Sequence, residues 1–461
     1  MAPPPPRPLT SIRKRVAMFS KILIANRGEI AVRVIRACKE MGVQTVAVFS
    51  TADRDALHVA LADESYCIGG PRAQDSYLDE DALLTVAVES GCSAIHPGYG
   101  FLSENAEFAK RVRECGLVFI GPSPEVIAQM GNKDLARRVA RAAGAPVVEG
   151  CDLLSSPEQA VEEARRIGCP VLIKARAGGG GRGIRRIDDP EEAGHAYQEA
   201  FQEAEAAFGD GACYMEKFIT AAHHVEVQLL CDNFGHIVTL GERECSVQRR
   251  NQKLLEESPC ECLPDDVRQR LFAAARSIAK AVGYTGVGTI EFLYTDAGEF
   301  YFMEMNTRLQ VEHPVTEMVT GLDMVKWQLR VAAGTELPFT QDDIHVRGHA
   351  IECRINAETR EGMPSCGKVT MLHVPGGPWV RFDSALYQGM NVPPYYDSML
   401  GKLIVHAGTR EEAIRKMRSA LGELAIEGVS DSSELQLDIL NNAEFTSGVY
   451  HTNLMSHLMG A

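Results

Sequence analysis

"TIEFLYTDAGEFYFMEMNTRLQVEHP", residues 289–314, decides how the chain is read. Two apolar, aromatic-rich runs, "IEFLYT" and "EFYFMEM", flank the turn signal "DAG", the pattern of a β-hairpin. With the turn centred between Ala297 and Gly298, Glu291 stands opposite Glu304, and Asn306, two residues on, shares their face. Like charges directly opposite each other destabilise a sheet unless something neutralises them. A divalent cation does so: two carboxylates and an amide are hard oxygen ligands suited to Mg²⁺, with Mn²⁺ the alternative, and such an ion also binds substrate phosphates. The competing reading is two solvated acids, against which stand the apolar neighbours Ile290, Phe292, Phe302, Met303 and Met305. A bulge in the hairpin would break this register.

Just beyond, "NTRLQVEHP" spaces Arg308, Gln310 and Glu312 at alternate positions, so an extended segment aims all three into one cavity. An arginine and a carboxylate beside a magnesium nucleotide can hold a small oxyanion and remove its proton; a surface salt bridge is the bland alternative. "QRRNQK" (248–253) adds three positive charges on an acidic chain, read either as a local anion site or as a solvated run. "KARAGGGGRGI" (174–184) follows the apolar run "VLI". Four ordered glycines are entropically costly, and without Cβ atoms their N–H groups can converge on phosphate oxygens. Lys174 precedes the glycines and G-x-x-x-x-G-K-[ST] is absent, so the pattern is a flap between two strands, not a P-loop. A linker would not normally carry Arg182 and Arg185 behind a buried strand.

Working outward, "KILIAN" and "QTVAVFS" bracket a helical pattern of Ile30, Ala31, Val34, Ile35, Cys38 and Met41, ended by Gly42, which is a strand–helix–strand unit of a parallel sheet. The turn "NRGEIA" is not G-x-G-x-x-G, so a Rossmann-like α/β domain without a dinucleotide function is expected over 18–130. "HPGYGFLSEN" (96–105) sits between strand and helix, as a site-lining loop or a plain turn. An α+β domain is expected over 131–342, including the capped helix from Ser156 and an acidic helix over 189–208, and a β-rich segment with closing helices over 343–461. The chain has 461 residues, 45% hydrophobic and 24% charged, with net charge −15, a globular profile that argues against nucleic acid and anionic lipid as partners. No run of 18 apolar residues exists. Thirteen cysteines without pairing rhythm read as reduced thiols of a cytoplasmic enzyme, and Cys260 and Cys262 as a chance surface pair. Residues 1–17 are Pro-rich, with four positive charges and no acid, and read as a disordered extension or leader; an organellar address stays open.

"IANRGEIAVR", "HPGYGFLSENA", "KARAGGGGRG", "MEKFI", "HHVEVQ", "QRRNQK", "EFYFMEMNTRLQVEHPVTE", "ECRINAE" and "PPYYDSM" together resemble biotin carboxylase, the ATP-grasp component of biotin-dependent carboxylases such as acetyl-CoA carboxylase, over about residues 18–457. The resemblance implies a Rossmann-like pre-ATP-grasp domain, an ATP-grasp domain with a glycine-rich flap, and a β-rich C-terminal domain. It implies ATP-dependent carboxylation of biotin by bicarbonate through carboxyphosphate. Lys133 and Lys174 would contact phosphates, with Gly180 and Gly181 in the flap over them. Glu216, Lys217, Phe218 and Ile219 would form the adenine hinge, and His224, Gln248 and Asn251 would line the nucleotide pocket. Glu291 and Glu304 would bind Mg²⁺ beside Asn306. Lys253, Arg308, Gln310, Val311 and Glu312 would surround bicarbonate, with Glu312 the base; Arg354 would stabilise the biotin enolate, and Tyr99 would border that site.

The same resemblance implies a homodimer, with Arg36 and Glu40 at its interface, a separate biotin carboxyl carrier protein, and carboxyltransferase subunits. Biotin would be a substrate on the carrier, since no biotinyl-lysine segment is evident; the chain is read as a subunit working with separate partners or as one excised component. Four places depart from the family pattern: Arg176 beside the flap, Asn251 where histidine is common, "AETREGMPSCGKV" and "EGVSDSSELQ". Two other readings remain: an ATP-grasp ligase for a different carboxylate, and a non-catalytic nucleotide-binding subunit. Fatty acid synthesis is the expected setting.

Overall fold

The computed structural model describes residues 18–176 and 184–459. The 1–17 extension and the flap glycines, including Gly180 and Gly181, lie outside the described residues.

The short apolar runs of the N-terminal third are strands of a five-stranded parallel sheet. Its order is Glu64–Gly69, Gln44–Ser50, Lys21–Ile24, Ala94–His96, Val118–Phe119. The helix Gly28–Glu40 buries Ile30, Ala31, Val34, Ile35 and Cys38, the stripe its 3.6-residue spacing sets. Winding reverses beside the central strand Lys21–Ile24, which opens a crevice at the carboxyl ends of the strands. "NRGE" and "HPGYGF" meet there: Asn26 Nδ2 donates to the carbonyls of Pro97 and Tyr99, each at 2.8 Å. "HPGYGF" is therefore a site-lining loop, not a plain turn.

A four-stranded antiparallel sheet follows, in the order Gly150–Leu153, Cys213–Lys217, Val171–Ala175, Ile184–Ile187. The helix Pro157–Ile167 is capped by Ser156 Oγ, which accepts from Gln159 N at 3.2 Å. The Gln159 side-chain oxygen accepts from Ser155 N, one residue earlier than a standard capping box places it. The acidic segment is a 3₁₀ turn, Pro190–Glu192, followed by the helix Ala193–Phe208.

The third sheet has eight antiparallel strands. Five come from the central segment: Phe300–Asn306, Gly286–Thr295, Ala222–Cys231, Ile237–Arg249 and Gln252–Ser258. His349–Asn356, Met399–Ala407 and Val380–Ser384 continue it without a break, through pairs such as Glu256 with Glu352. The β-rich C-terminal segment thus shares one sheet with the central one.

The hairpin pairs Glu291 with Glu304, but by a different route from the one its turn suggests. Tyr294–Phe300, Leu293–Tyr301 and Phe292–Phe302 pairs centre the turn on Ala297. A bulge at Met303 then shifts the register by one residue, and the two offsets cancel.

Gly98 has φ +66°, and a Cβ there would lie 2.8 Å from Asn26 Nδ2. Gly98→Ala is expected to lower unfolding free energy by about 1–3 kcal/mol, read by urea denaturation. An unchanged midpoint would show that this loop contact is not a structural constraint.

Candidate active site

A cavity of about 1360 Å³ lies where the loops of the parallel sheet, the four-stranded sheet and one face of the eight-stranded sheet meet. Every site residue named from the sequence lines it, apart from Gly180 and Gly181, which fall outside the described residues. These side chains share a face because alternation along each strand puts them there: His224 and Glu226 on one strand, Glu291 opposite Glu226, and Arg354 opposite Lys402.

Lys253 is the centre of the arrangement. Its Nζ lies 2.7 Å from Glu226 Oε2, 3.0 Å from Glu291 Oε1 and 2.6 Å from Glu312 Oε1. Burial works against the ammonium, but the three carboxylates outweigh it and hold its pKa well above the ordinary range. Glu312 also meets Arg354 Nη2 at 3.0 Å. Burial opposes its ionisation; Lys253, then Arg354, overcome that and hold its carboxyl well below the usual range. Glu312 is therefore ionised at neutral pH, the state a proton acceptor needs. Arg354 donates its Nε to Glu256 Oε1 at 2.6 Å.

The segment after the hairpin does not stay extended. It bends at Arg308 and turns into the helix His313–Thr320, with Glu312 at the N-cap. The bend still brings Arg308, Gln310 and Glu312 to the cavity. Arg308 is held by Glu104 Oε2 (2.8 Å), Gln310 Oε1 (2.7 Å) and Asn306 Oδ1 (3.0 Å). Val311 contributes its carbonyl to Lys402 Nζ at 2.8 Å.

Glu291 and Glu304 differ in their surroundings. Glu291 is buried and accepts from Lys253, Asn306 and Gln310, with His224 Nε2 at 2.9 Å. Burial would raise its pKa; Lys253 and His224 outweigh that, leaving it well below the usual range. Protein cations thus already neutralise one member of the facing pair. Glu304 is 39% exposed toward the cavity, with Lys133 Nζ 4.0 Å away. Desolvation in the cleft and the Glu291 charge raise its pKa. Two carboxylates and the Asn306 amide give a hard donor set that fits Mg²⁺, with Glu304 the more available oxygen ligand.

On the far wall, Lys174 pairs with Glu216 at 2.5 Å, and Arg137 lies 3.5 Å from the same carboxylate. Lys217 turns its Nζ to the carbonyls of Gly168 (2.6 Å) and Cys169 (3.2 Å), so its backbone and its neighbours Phe218 and Ile219 form the wall. His224 Nδ1 is 2.7 Å from Gln248 Nε2. "QRRNQK" is a two-residue hairpin, with Arg250 at φ +53° and Asn251 at φ +63°. Its charges are divided rather than pooled: Arg249 pairs with Glu358, and only Lys253 enters the carboxylate cluster. Arg185 faces Glu199 and Glu203 on the acidic helix instead of the cavity, and Arg176 is held by Asp210. Tyr99 bonds to Glu29, which pairs with Lys402 at 3.2 Å. Arg36 and Glu40 are exposed on the helix Gly28–Glu40.

Sequence reasoning passed over Glu226, Arg243, Glu256, Glu352 and Lys402, all buried beneath the cavity. The available signal was a lone charge at an inward position of an apolar strand, as in "LGKLIVHA" and "HAIECRI". Glu104 was also missed: its partner Arg308 is 204 residues away.

Comparison with known proteins names the class, an ATP-dependent ligase. The biotin carboxylase N-terminal domain family matches residues 18–127, the carbamoyl-phosphate synthase L chain ATP binding domain 132–340, and the biotin carboxylase C-terminal domain 352–457. Biotin carboxylase 1 of Bacillus subtilis is 52% identical over 442 residues, 95% of this chain and 98% of the relative. The Campylobacter jejuni biotin carboxylase–nucleotide complex superposes with TM-score 0.93 at 47% identity, covering 95% of this chain and 99% of the other. The biotin carboxylase domain dimer of Hydrogenobacter thermophilus 2-oxoglutarate carboxylase, solved with MgADP, ADP and bicarbonate, gives the same TM-score and identity over 96% and 98%. The chain belongs to the biotin carboxylase family. Among the described residues, no helix is long and apolar enough to cross a membrane.

Burial, moderated by Arg354, pushes the Glu256 carboxyl up to about 7. A raised carboxyl favours the folded state fully below its unfolded value and loses that contribution as pH rises toward 7. Glu256→Gln removes the titration. Its stability relative to wild type is expected to rise by about 1–3 kcal/mol between pH 5 and pH 8, measured by urea denaturation. Parallel pH profiles for the two proteins would contradict this.

Proposed function

We propose that the chain carboxylates the biotin of a separate biotin carboxyl carrier protein, using ATP and bicarbonate, as the first half-reaction of an acetyl-CoA carboxylase. The carrying observation is the meeting of Lys253, Glu312, Arg308 and Arg354 in a cavity that Lys133, Lys174, Glu216 and His224 also line. In this reading residues 18–130, 131–342 and 343–461 are its N-terminal, ATP-grasp and C-terminal domains.

ATP occupies the wall formed by Lys133, Lys174, His224, Gln248, Asn251 and the 216–219 segment, with the phosphates toward Lys133 and Lys174. Glu291 and Glu304, beside Asn306, hold Mg²⁺, which supplies neutralisation of phosphate charge. Arg308, Gln310, Val311 and Lys253 orient bicarbonate so that Glu312 accepts its proton as it attacks the γ-phosphate. Carboxyphosphate then releases CO₂ and phosphate. Arg354, fixed between Glu256 and Glu312, stabilises the negative charge that develops on biotin, with Tyr99 at the border of that site. The protein acts as a homodimer, by analogy with the Hydrogenobacter dimer, through the face that includes Arg36 and Glu40.

ATP hydrolysis by the purified chain is expected to depend on bicarbonate and to be accelerated by free biotin. Activation by a different carboxylate, with no response to biotin, would assign another ligase. Mg-ATP binding without turnover would assign a non-catalytic subunit. Reconstitution with biotinylated carrier and acetyl-CoA carboxyltransferase should yield malonyl-CoA; transfer only to another acyl acceptor would overturn the acetyl-CoA assignment.

Glu312→Gln is expected to cut biotin carboxylation by about 10²–10⁴-fold. Arg354→Ala should lose about 10²–10³-fold. Calorimetric Mg-ATP affinity should stay within a few-fold of wild type in both; equal loss of binding would point to a structural role instead.

A further inference from the structure

Alternation along the strands that carry the active site places a second set of reactive side chains on the opposite face of the sheet. His223 neighbours His224 but points the other way, as Glu244 does from Arg243. Cys260 and Cys262 follow the next strand and come up beneath both. The pair is not a chance surface feature: Cys260 is 1% exposed, and each thiol has a polar partner. The histidine that completes the cluster lies 39 residues upstream of Cys262, so motif spacing did not reveal it.

His223 Nδ1, Glu244 Oε2 and Cys262 Sγ form a triangle with edges of 3.3, 3.5 and 3.9 Å. Ligands on a tetrahedral zinc ion, with bonds of about 2.0–2.3 Å, stand about 3.3–3.8 Å apart. Cys260 Sγ lies beside the triangle, 3.5 Å from Cys262 Sγ and 3.1 Å from Glu244 Oε2. The other ring nitrogen of His223, Nε2, is 3.4 Å from Asp296 Oδ1. A carboxylate behind a histidine in this way orients a metal-binding imidazole and raises its basicity. Glu244 is 2% exposed; its Oε1 accepts from Ser246, and its Oε2 faces His223 and the two thiols, with no lysine or arginine beside it among the described residues. His451, 3.1 Å from Asp296, and the largely exposed Asp296 mark the side from which an ion can enter.

We infer that His223, Glu244 and Cys262, with Cys260 alongside and Asp296 behind the histidine, form a structural zinc site on the back of the catalytic sheet. Thiolate, imidazole and carboxylate together select Zn²⁺ over the Mg²⁺ of the active site, whose donors are all oxygen. The ion ties the segment after Ser258 to the strands Ala222–Cys231 and Ile237–Arg249.

The reduced full-length chain, dialysed against metal-free buffer after growth with zinc, is expected to retain one Zn²⁺ per chain by mass spectrometry of the element. Replacement by Co²⁺ should give a thiolate-to-cobalt charge-transfer band in the near ultraviolet, a readout that needs no variant. Cys262→Ser should abolish that band, and Asp296→Asn should weaken zinc about 10–100-fold in competition with a chromogenic chelator. Three results would each overturn the inference: a wild-type chain with neither retained zinc nor the cobalt band, a band undiminished in Cys262→Ser, or a Cys260–Cys262 disulfide in place of the metal.

Discussion

One buried ammonium organises the active site. Lys253 meets three carboxylates that arrive from different places: Glu226 and Glu291 from two neighbouring strands, and Glu312 from the turn that starts a helix. Without that charge the three acids would repel one another in a poorly hydrated space, where an unpaired ion costs several kcal/mol. The cation does not balance the floor of the cavity alone. Glu226, Glu256, Glu291, Glu312 and Glu352 are interleaved with Arg243, Lys253, Arg354 and Lys402. Burial raises the pKa values of Glu256 and Glu352, while Glu291 and Glu312 stay ionised beside the cations. Identical side chains are thereby sorted into proton holders and proton acceptors by their neighbours.

The same logic separates the two acids of the hairpin. Facing pairing alone makes Glu291 and Glu304 look equivalent. Glu291 is saturated by Lys253, His224, Asn306 and Gln310, whereas Glu304 opens to the cavity with a distant Lys133. An incoming cation therefore gains most of its new charge interaction at Glu304 and finds Glu291 already oriented. Such preorganisation lowers the cost of assembling the site when substrate arrives.

Local pattern carried much of this. Strand alternation placed Glu291, Glu304 and Asn306 toward one face, and the helix Gly28–Glu40 and strand Val171–Ala175 follow directly from spacing and punctuation. The hairpin is a sharper case: its acids do pair, but only because a bulge at Met303 offsets a turn centred on Ala297. Two errors of register cancelled, and periodicity could not have exposed either. What stayed hidden was tertiary. Glu104 reaches Arg308 from the parallel sheet, Tyr99 reaches Glu29 and through it Lys402, and Glu256 pairs with Glu352 from the C-terminal segment. Charges such as Lys402 interrupt apolar strands, and that interruption was legible; the identity of the partner was not.

A sheet with function on one face usually gives its other face to packing. Here the strands Ala222–Cys231 and Ile237–Arg249 put oxygen and nitrogen donors forward and a histidine, a carboxylate and nearby thiols behind. The two sets are separated by a single backbone layer, and adjacent residues, His223 with His224 and Arg243 with Glu244, belong to opposite sides. Any displacement of these strands must move both clusters together, because side chains one residue apart share the same peptide planes. Cross-linking the back of the sheet is therefore a way to hold the front in register without placing any further group in the reactive cavity.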